Sequence, residues 1–314
     1  MTLDPVAQHM LEQKKAMNAP KVFELTPEQA RQPMDLTETA GEPEEVGKVE
    51  DVLIPGPLGD IPIRVYTPKG EGDFPAFIYY HGGGWTIGSI DSVDVPCRLI
   101  TNRSDSIVIA VEYRLAPEHK FPAPLNDAYA TAKWVAEHGK SIGVDTTRIA
   151  VGGDSAGGNL AAAVTLMAKD IGNPKLSYQV LVYPNTNYAF DTATHEEFGE
   201  GYLLTNKELK WFWDHYLNNA EDGKNPYVSP LIAEDLSGLP PALVITAEYD
   251  QLRVEGEGYG ERLKEAGVPV KISRYDEMLH GFYWMPKLYK QGMEAIEETA
   301  NSLKEAFSNR IKNS

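Results

Sequence analysis

The spacing of apolar and polar positions changes several times along the chain. The first fifty residues are polar and weakly helical. Within them Val6, Met10, Leu11 and Met17 fall on one helical stripe, and Thr26-Pro27-Glu28 reads as a helix start with proline in the first turn. From Lys48 the period shortens. Residues 49–54, 61–66 and 77–80 are β-rich runs separated by Gly56-Pro57 and Pro68-Lys69-Gly70. Strand and helix patterns then alternate. Strands are expected at 107–113, 148–151, 178–183, 242–246 and 268–273, with helices at 125–138, 156–168, 254–266 and 291–307. Such alternation predicts an α/β fold, a mostly parallel sheet with helices on both faces.

The alternation stops between residues 184 and 221, where Tyr202-Leu203-Leu204-Thr205 precedes an aromatic helical stretch at 209–216. An excursion of that length between strands is usually a functional lid or cap. Its aromatics, Trp211, Phe212, Trp213 and Tyr216, fall on more than one helical face, so some are expected to pack inward and others to face a substrate.

Composition narrows the class. At 314 residues, with 42% hydrophobic and 24% charged positions, the chain is long enough for a large core. Its net charge of −17 argues against nucleic acid or an anionic membrane surface as partner, because both are bound by clustered Lys and Arg. Cys97 is the only cysteine, which rules out an intrachain disulfide and a cysteine metal cluster and points to a buried thiol. The opening residues lack a basic head followed by an apolar stretch, and no run approaches eighteen apolar residues. The expectation is a soluble cytoplasmic enzyme without a membrane span.

Gly-x-Ser-x-Gly occurs twice, at Gly139-Lys140-Ser141-Ile142-Gly143 and at Gly153-Asp154-Ser155-Ala156-Gly157. A serine nucleophile needs a tight strand-to-helix turn that exposes its hydroxyl and aims the following N–H groups at the substrate. Ser155 lies between an expected strand and an Ala-rich helix, and Gly153, Gly157 and Gly158 leave room for a crowded turn. Ser141 has the reverse setting, after a helix and before a strand, where Gly139 resembles a helix C-cap. Ser155 is therefore the candidate and Ser141 the decoy. His81-Gly82-Gly83-Gly84-Trp85 follows directly on a strand. Alone it reads as a flexible turn; paired with the serine turn, it has the unblocked backbone that an oxyanion hole requires.

These motifs, together with Tyr113-Arg114-Leu115-Ala116-Pro117-Glu118-His119 and His280-Gly281-Phe282, occur in family order from about residue 50 onward. The chain resembles the hormone-sensitive-lipase-like family of α/β hydrolases. The resemblance implies an eight-stranded sheet and a helical cap made of residues 1–50 and 185–221, leaving 51–184 and 222–314 as the α/β-hydrolase catalytic domain. By position in the motifs it implies that the N–H groups of Gly83, Gly84 and Ala156 form the oxyanion hole. The stretch holding Arg114 and Glu118 is expected to brace the loop beside the serine.

A serine hydroxyl needs a base, and the base an orienting acid, in the order Ser, Asp or Glu, His for this fold. Of seven histidines only His195, His215 and His280 follow Ser155. The first two fall in the expected cap, whereas His280 falls after the last strand, so His280 is the candidate base. The resemblance places the acid at Asp250, beyond the strand at 242–246. Asp250 also reads as a helix N-cap, Glu248 is the nearest rival and Asp276 a weaker one. Gln251-Leu252-Arg253 departs from the family's frequent Pro-Leu-Arg without touching the acid. Trp85 is the substrate-contact candidate; with Phe282 and Trp284 it reads equally as pocket wall or as core.

The expected function is a carboxylesterase cleaving short- to medium-chain acyl esters through a Ser155–His280–Asp250 triad, with no cofactor or metal and a small-molecule ester as its partner. Amidase, peptidase or acyltransferase activity on the same scaffold is the alternative. A non-catalytic receptor is the remote one, because the resemblance includes plant hormone receptors that lost the histidine this chain retains. The sequence does not specify an oligomeric state.

Overall fold

The computed structural model describes residues 2–18, 20–32 and 36–309. Strands β1 (Lys48–Gly56), β2 (Gly59–Thr67), β3 (Phe74–Tyr80), β4 (Ile107–Val111), β5 (Val144–Asp154), β6 (Tyr178–Val182), β7 (Ala242–Tyr249) and β8 (Val270–Leu279) form one eight-stranded sheet. Its spatial order is β1-β2-β4-β3-β5-β6-β7-β8. The β1–β2 and β2–β4 pairs are antiparallel, and all others are parallel.

Two cores follow from the period of two within the strands. Ile78 and Tyr80 of β3, Val151 of β5 and Val244 of β7 face α4 (Ala123–His138), α5 (Ala156–Ile171) and α8 (Arg253–Glu265). The alternate residues Phe77 and Tyr79, Ala150, and Leu243 and Ile245 face α3 (Asp94–Ser104) and α9 (Lys290–Asn309). Because both faces are covered, the central strands are apolar throughout; β4 is buried at every position.

The sequence pattern missed α3. It carries Pro96 in its first turn, where a missing N–H costs nothing, and it buries Cys97, Leu99 and Ile100 on one side. It ends at Asp105, which takes the left-handed conformation with φ 51°. β8 also runs further than expected, reaching Leu279 through a register shift opposite Ala247 and Tyr249. Glu277, at φ 65°, absorbs that irregularity. Helix α4 ends at Gly139 in a right-handed conformation; the left-handed glycine is Gly143, after a 3₁₀ turn at Gly139–Ile142.

The N-terminal segment holds α1 (Pro5–Ala16) and the single turn α2 (Pro27–Ala30), each with a side-chain N-cap, from Asp4 and Thr26. The interruption between β6 and β7 holds α6 (Ala193–Phe198) and α7 (Asn206–Tyr216). Both segments meet the loops that leave the carboxyl ends of the strands. Arg31 donates to the carbonyls of Thr86 (2.7 Å) and Ala116 (2.6 Å) and forms a two-pronged ion pair with Glu118. From α7, Trp213 and Tyr216 pack on Trp85. Among the described residues, no helix is long and apolar enough to cross a membrane.

Candidate active site

Ser155 sits between β5 and α5 with φ 55° and ψ −117°, a conformation L residues rarely adopt. Its N–H donates to Val182 O (2.8 Å). The turn is tight enough that a Cβ on Gly153 or Gly157 would run into the Tyr80 carbonyl. The strand-turn-helix arrangement thus leaves the Ser155 hydroxyl at the end of the sheet while its backbone is locked.

The His280 ring stands over this hydroxyl, with Nε2 3.0 Å from Ser155 Oγ and Nδ1 2.7 Å from Asp250 Oδ2. Asp250 is buried, and its Oδ1 accepts the Leu252 N–H at 2.9 Å. One carboxylate oxygen thus meets the imidazole and the other the Leu252 N–H in the turn before α8; the N-cap of that helix is Leu252 and not Asp250. Nδ1 must carry a proton to meet the carboxylate, so Nε2 of the neutral ring accepts from the Ser155 O–H. The Tyr183 ring, 4.5 Å from the imidazole centroid, packs beside it.

The other sequence candidates lie elsewhere. Glu248 Oε2 accepts the Glu277 N–H (2.8 Å), and Asp276 is exposed. His195 Nδ1 pairs with Thr192 Oγ1 (2.6 Å), and His215 Nδ1 donates to Trp211 O (2.7 Å). Ser141 donates to His138 O at 2.7 Å on an exposed turn.

Gly83 and Gly84 take φ values of 110° and 56°. A Cβ on Gly83 would strike the Ile87 carbonyl, and one on Gly84 the Phe212 ring. Ala156 is the first residue of α5, where an N–H has no intrahelical partner. The glycine run is tied to the serine turn by Asp154, whose Oδ1 accepts from Gly82 N–H (3.0 Å) and Tyr79 O–H (2.8 Å). Burial raises the Asp154 carboxyl above its ordinary range against the pull of those two donors. His81 stacks on Tyr113 at 4.3 Å, and burial pushes its imidazole down to about 4, so it stays neutral under the loop.

Trp85 corrects an expectation. Its side chain has 0% exposure and stacks on Tyr216 (4.3 Å, 5° between planes), so it presents no surface to a substrate. It anchors the glycine run to α7 instead. Phe282 is likewise buried, while Trp284 lines a cavity of about 310 Å³ together with Gly82, Gly83, Ile87, Val93 and Leu36. The Arg114–Glu118 stretch braces in two directions. Arg114 pairs with Asp127 (2.7 Å), and Glu118 is held by Arg31 of the N-terminal segment, which draws its carboxyl down to about 2.

Two groups, Asn185 near Ser155 and Glu255 beneath the residues that follow Asn185, were not singled out from the sequence. Asn185 Oδ1 is assigned 3.5 Å from Ser155 Oγ, and Asn185 is 2% exposed. Glu255, also buried, accepts the N–H groups of Thr186 (2.7 Å) and Asn187 (3.2 Å) on Oε1. Only coordinates reveal either role, because the contacts join segments 30 and 69 residues apart. Among the described residues, no group of three His, Cys, Asp or Glu side chains is placed to hold a metal ion.

Comparison with known proteins identifies the family and the fold. A family profile described as the α/β-hydrolase fold matches residues 77–284. A carboxylic ester hydrolase of Mycobacterium tuberculosis is 46% identical over 240 residues, covering 74% of this chain and 64% of its own length. An arylesterase of Saccharolobus solfataricus is 36% identical over 293 residues, 93% of this chain and 95% of that protein. Among solved structures, an ester hydrolase from the Lake Arreo metagenome superposes with a TM-score of 0.94 at 39% identity, covering 98% of this chain and 100% of the other. A hyperthermophilic esterase of Pyrobaculum calidifontis gives 0.92 at 43% identity, covering 97% and 99%.

Proposed function

We propose that this chain, which belongs to the α/β-hydrolase fold family and its hormone-sensitive-lipase-like branch, is a serine carboxylesterase. The observation that carries the proposal is the hydrogen-bonded line Asp250–His280–Ser155, with the glycine run tied to the serine turn through the Gly82 N–H and Asp154. Relatives named carboxylesterase and arylesterase support the same reading.

Ser155 Oγ attacks the ester carbonyl while His280 Nε2 takes its proton and Asp250 holds the ring. The tetrahedral oxyanion is received by the N–H groups of Gly83, Gly84 and Ala156. Protonated His280 then delivers its proton to the departing alcohol, and the same base activates water to hydrolyse the acyl-enzyme. Residues 1–50 and 185–221 act as the cap in this scheme, and Arg31 and the α7 aromatics link them to the oxyanion loop. The substrates in this reading are esters of short- to medium-chain acids, and hydrolysis rates over a series of acyl lengths test that range.

Ser155→Ala is expected to lower ester turnover on the order of 10⁶-fold with the fold intact. Ser141→Ala should keep most activity, and a fluorophosphonate probe should label the wild type but not Ser155→Ala. Equal losses from the two changes, or labelling that persists without Ser155, contradict the assignment. Parallel assays on anilides and with alcohol acceptors separate an esterase from an amidase or an acyltransferase.

A further inference from the structure

Ser155 Oγ has one proton and two lone pairs to dispose of. Its proton goes to His280 Nε2 at 3.0 Å, because Nδ1–H is committed to Asp250. It has no second proton for Asn185, whose side-chain amide lies 3.5 Å away. The oxygen and nitrogen of an asparagine amide are assigned from the hydrogen bonds around them. Here an amide nitrogen facing Ser155 meets a lone pair that can accept from it, whereas an oxygen there meets no proton. With Oδ1 toward Ser155, Asn185 Nδ2 is buried with no hydrogen-bond partner among the described residues, while Oδ1 faces an oxygen that cannot donate to it. Turning the amide over gives the nitrogen an acceptor.

The backbone around Asn185 is held from several sides. Its N–H donates to Ser155 O (3.3 Å), and its carbonyl accepts from Asn159 Nδ2 (2.9 Å). The next two N–H groups are gripped by Glu255. The amide is therefore positioned before any substrate arrives.

Building on the serine-esterase reading above, we propose that Asn185 is a further catalytic residue, whose side-chain N–H donates to Ser155 Oγ and stabilises that oxygen as the leaving group of deacylation. In the acyl-enzyme Oγ is an ester oxygen without a proton. Water attacks the acyl carbon as His280 takes a water proton. The tetrahedral intermediate then collapses with cleavage of the C–Oγ bond. Oγ keeps the electron pair and receives the proton from His280, and the Asn185 N–H lies against the negative charge as it builds. In acylation the same donor occupies one lone pair and leaves the other for attack, so it fixes direction but withdraws a little nucleophilicity. Its benefit falls on the second half of the cycle. Catalytic hydrogen bonds that are long in the free enzyme commonly shorten as charge develops.

The test is pre-steady-state hydrolysis of p-nitrophenyl acetate by wild type, Asn185→Leu and Asn185→Asp. Leucine keeps the volume and removes the donor. The nitrophenolate burst should stay within about threefold of wild type in rate, while the following turnover falls about five- to tenfold and KM falls with it, the size expected for one hydrogen bond. Aspartate keeps the shape and places an acceptor there, so its deacylation should be slower than that of the leucine variant. Fluorophosphonate labelling of Ser155 runs alongside in all three proteins. Labelling without any slowing of deacylation, or with burst and turnover reduced equally as a loosened loop would give, overturns the role of Asn185 alone. Absence of labelling in the wild type overturns the esterase reading instead. If the leucine variant does not fold, the aspartate variant decides: deacylation at the wild-type rate refutes the proposal.

Discussion

Glu255 lies beneath the segment that carries Asn185, and its replacement by glutamine has a calculable effect on stability. Burial raises its carboxyl from the ordinary 4.5 to about 8, against the stabilising pull of the Thr186 and Asn187 N–H groups and with a further upward push from Asp250. Between pH 4.5 and 8 the folded protein thus holds a proton on this group that the unfolded chain has released. Stability falls with rising pH wherever the native state binds more protons, so the penalty grows through that window and levels off above it. At about 1.4 kcal/mol per tenfold in protonation, it reaches on the order of 4 to 5 kcal/mol. Glutamine has the same shape, still accepts from both N–H groups, and does not ionise. Glu255→Gln should therefore exceed wild type by about 1 kcal/mol at pH 5 and about 4 kcal/mol at pH 9. Paired urea unfolding curves at pH 5, 7 and 9 measure the gap, since the other ionisable groups are common to both proteins. A gap independent of pH, or one that widens toward acid, would refute the reasoning.

Two other changes test the loops around the serine. Gly84→Ala forces a side chain into a left-handed backbone and against the Phe212 ring. It should cut kcat by about 10²- to 10³-fold, the cost of one lost oxyanion donor, and the double variant Gly84→Ala/Phe212→Ala should recover part of that loss. Arg31→Met removes the donors to Thr86 O, Ala116 O and Glu118. It should lower stability by about 2 kcal/mol and expose the first forty residues to limited proteolysis; melting and digestion at wild-type rates would contradict the tie.

How much could be read in advance depends on how local the cause is. The alternation of strand and helix, the serine turn and the position of His280 after the last strand are written in consecutive residues, and the eight-stranded sheet follows the family resemblance. Helix α3 was missed because Pro96 and the polar Arg98, Thr101 and Asn102 dilute its apolar side. The full length of β8 was missed because Arg274, Asp276 and Glu277 look like a loop, although β7 pairs on either side of the irregularity, through Arg274 and Tyr275 and again through Leu279. Trp85 was ambiguous for a different reason. An aromatic beside a glycine motif fits a pocket or a core equally well, and only the arrival of Trp213 and Tyr216 from α7 decides it. Asn185, Glu255 and Arg31 have no local signature, since each acts on residues brought near by the fold.

Ser155 and His280 leave the sheet from unequal stations. The serine follows β5, which has a strand partner on either flank, whereas the histidine follows β8, the border strand, whose one strand partner among the described residues is β7. Sheet margins open more readily than interiors, because fewer bonds must break together. Warming should therefore swing the imidazole away from the hydroxyl while the middle of the molecule is still ordered. The temperature at which the enzyme stops working is then set at its rim, below the temperature at which it unravels.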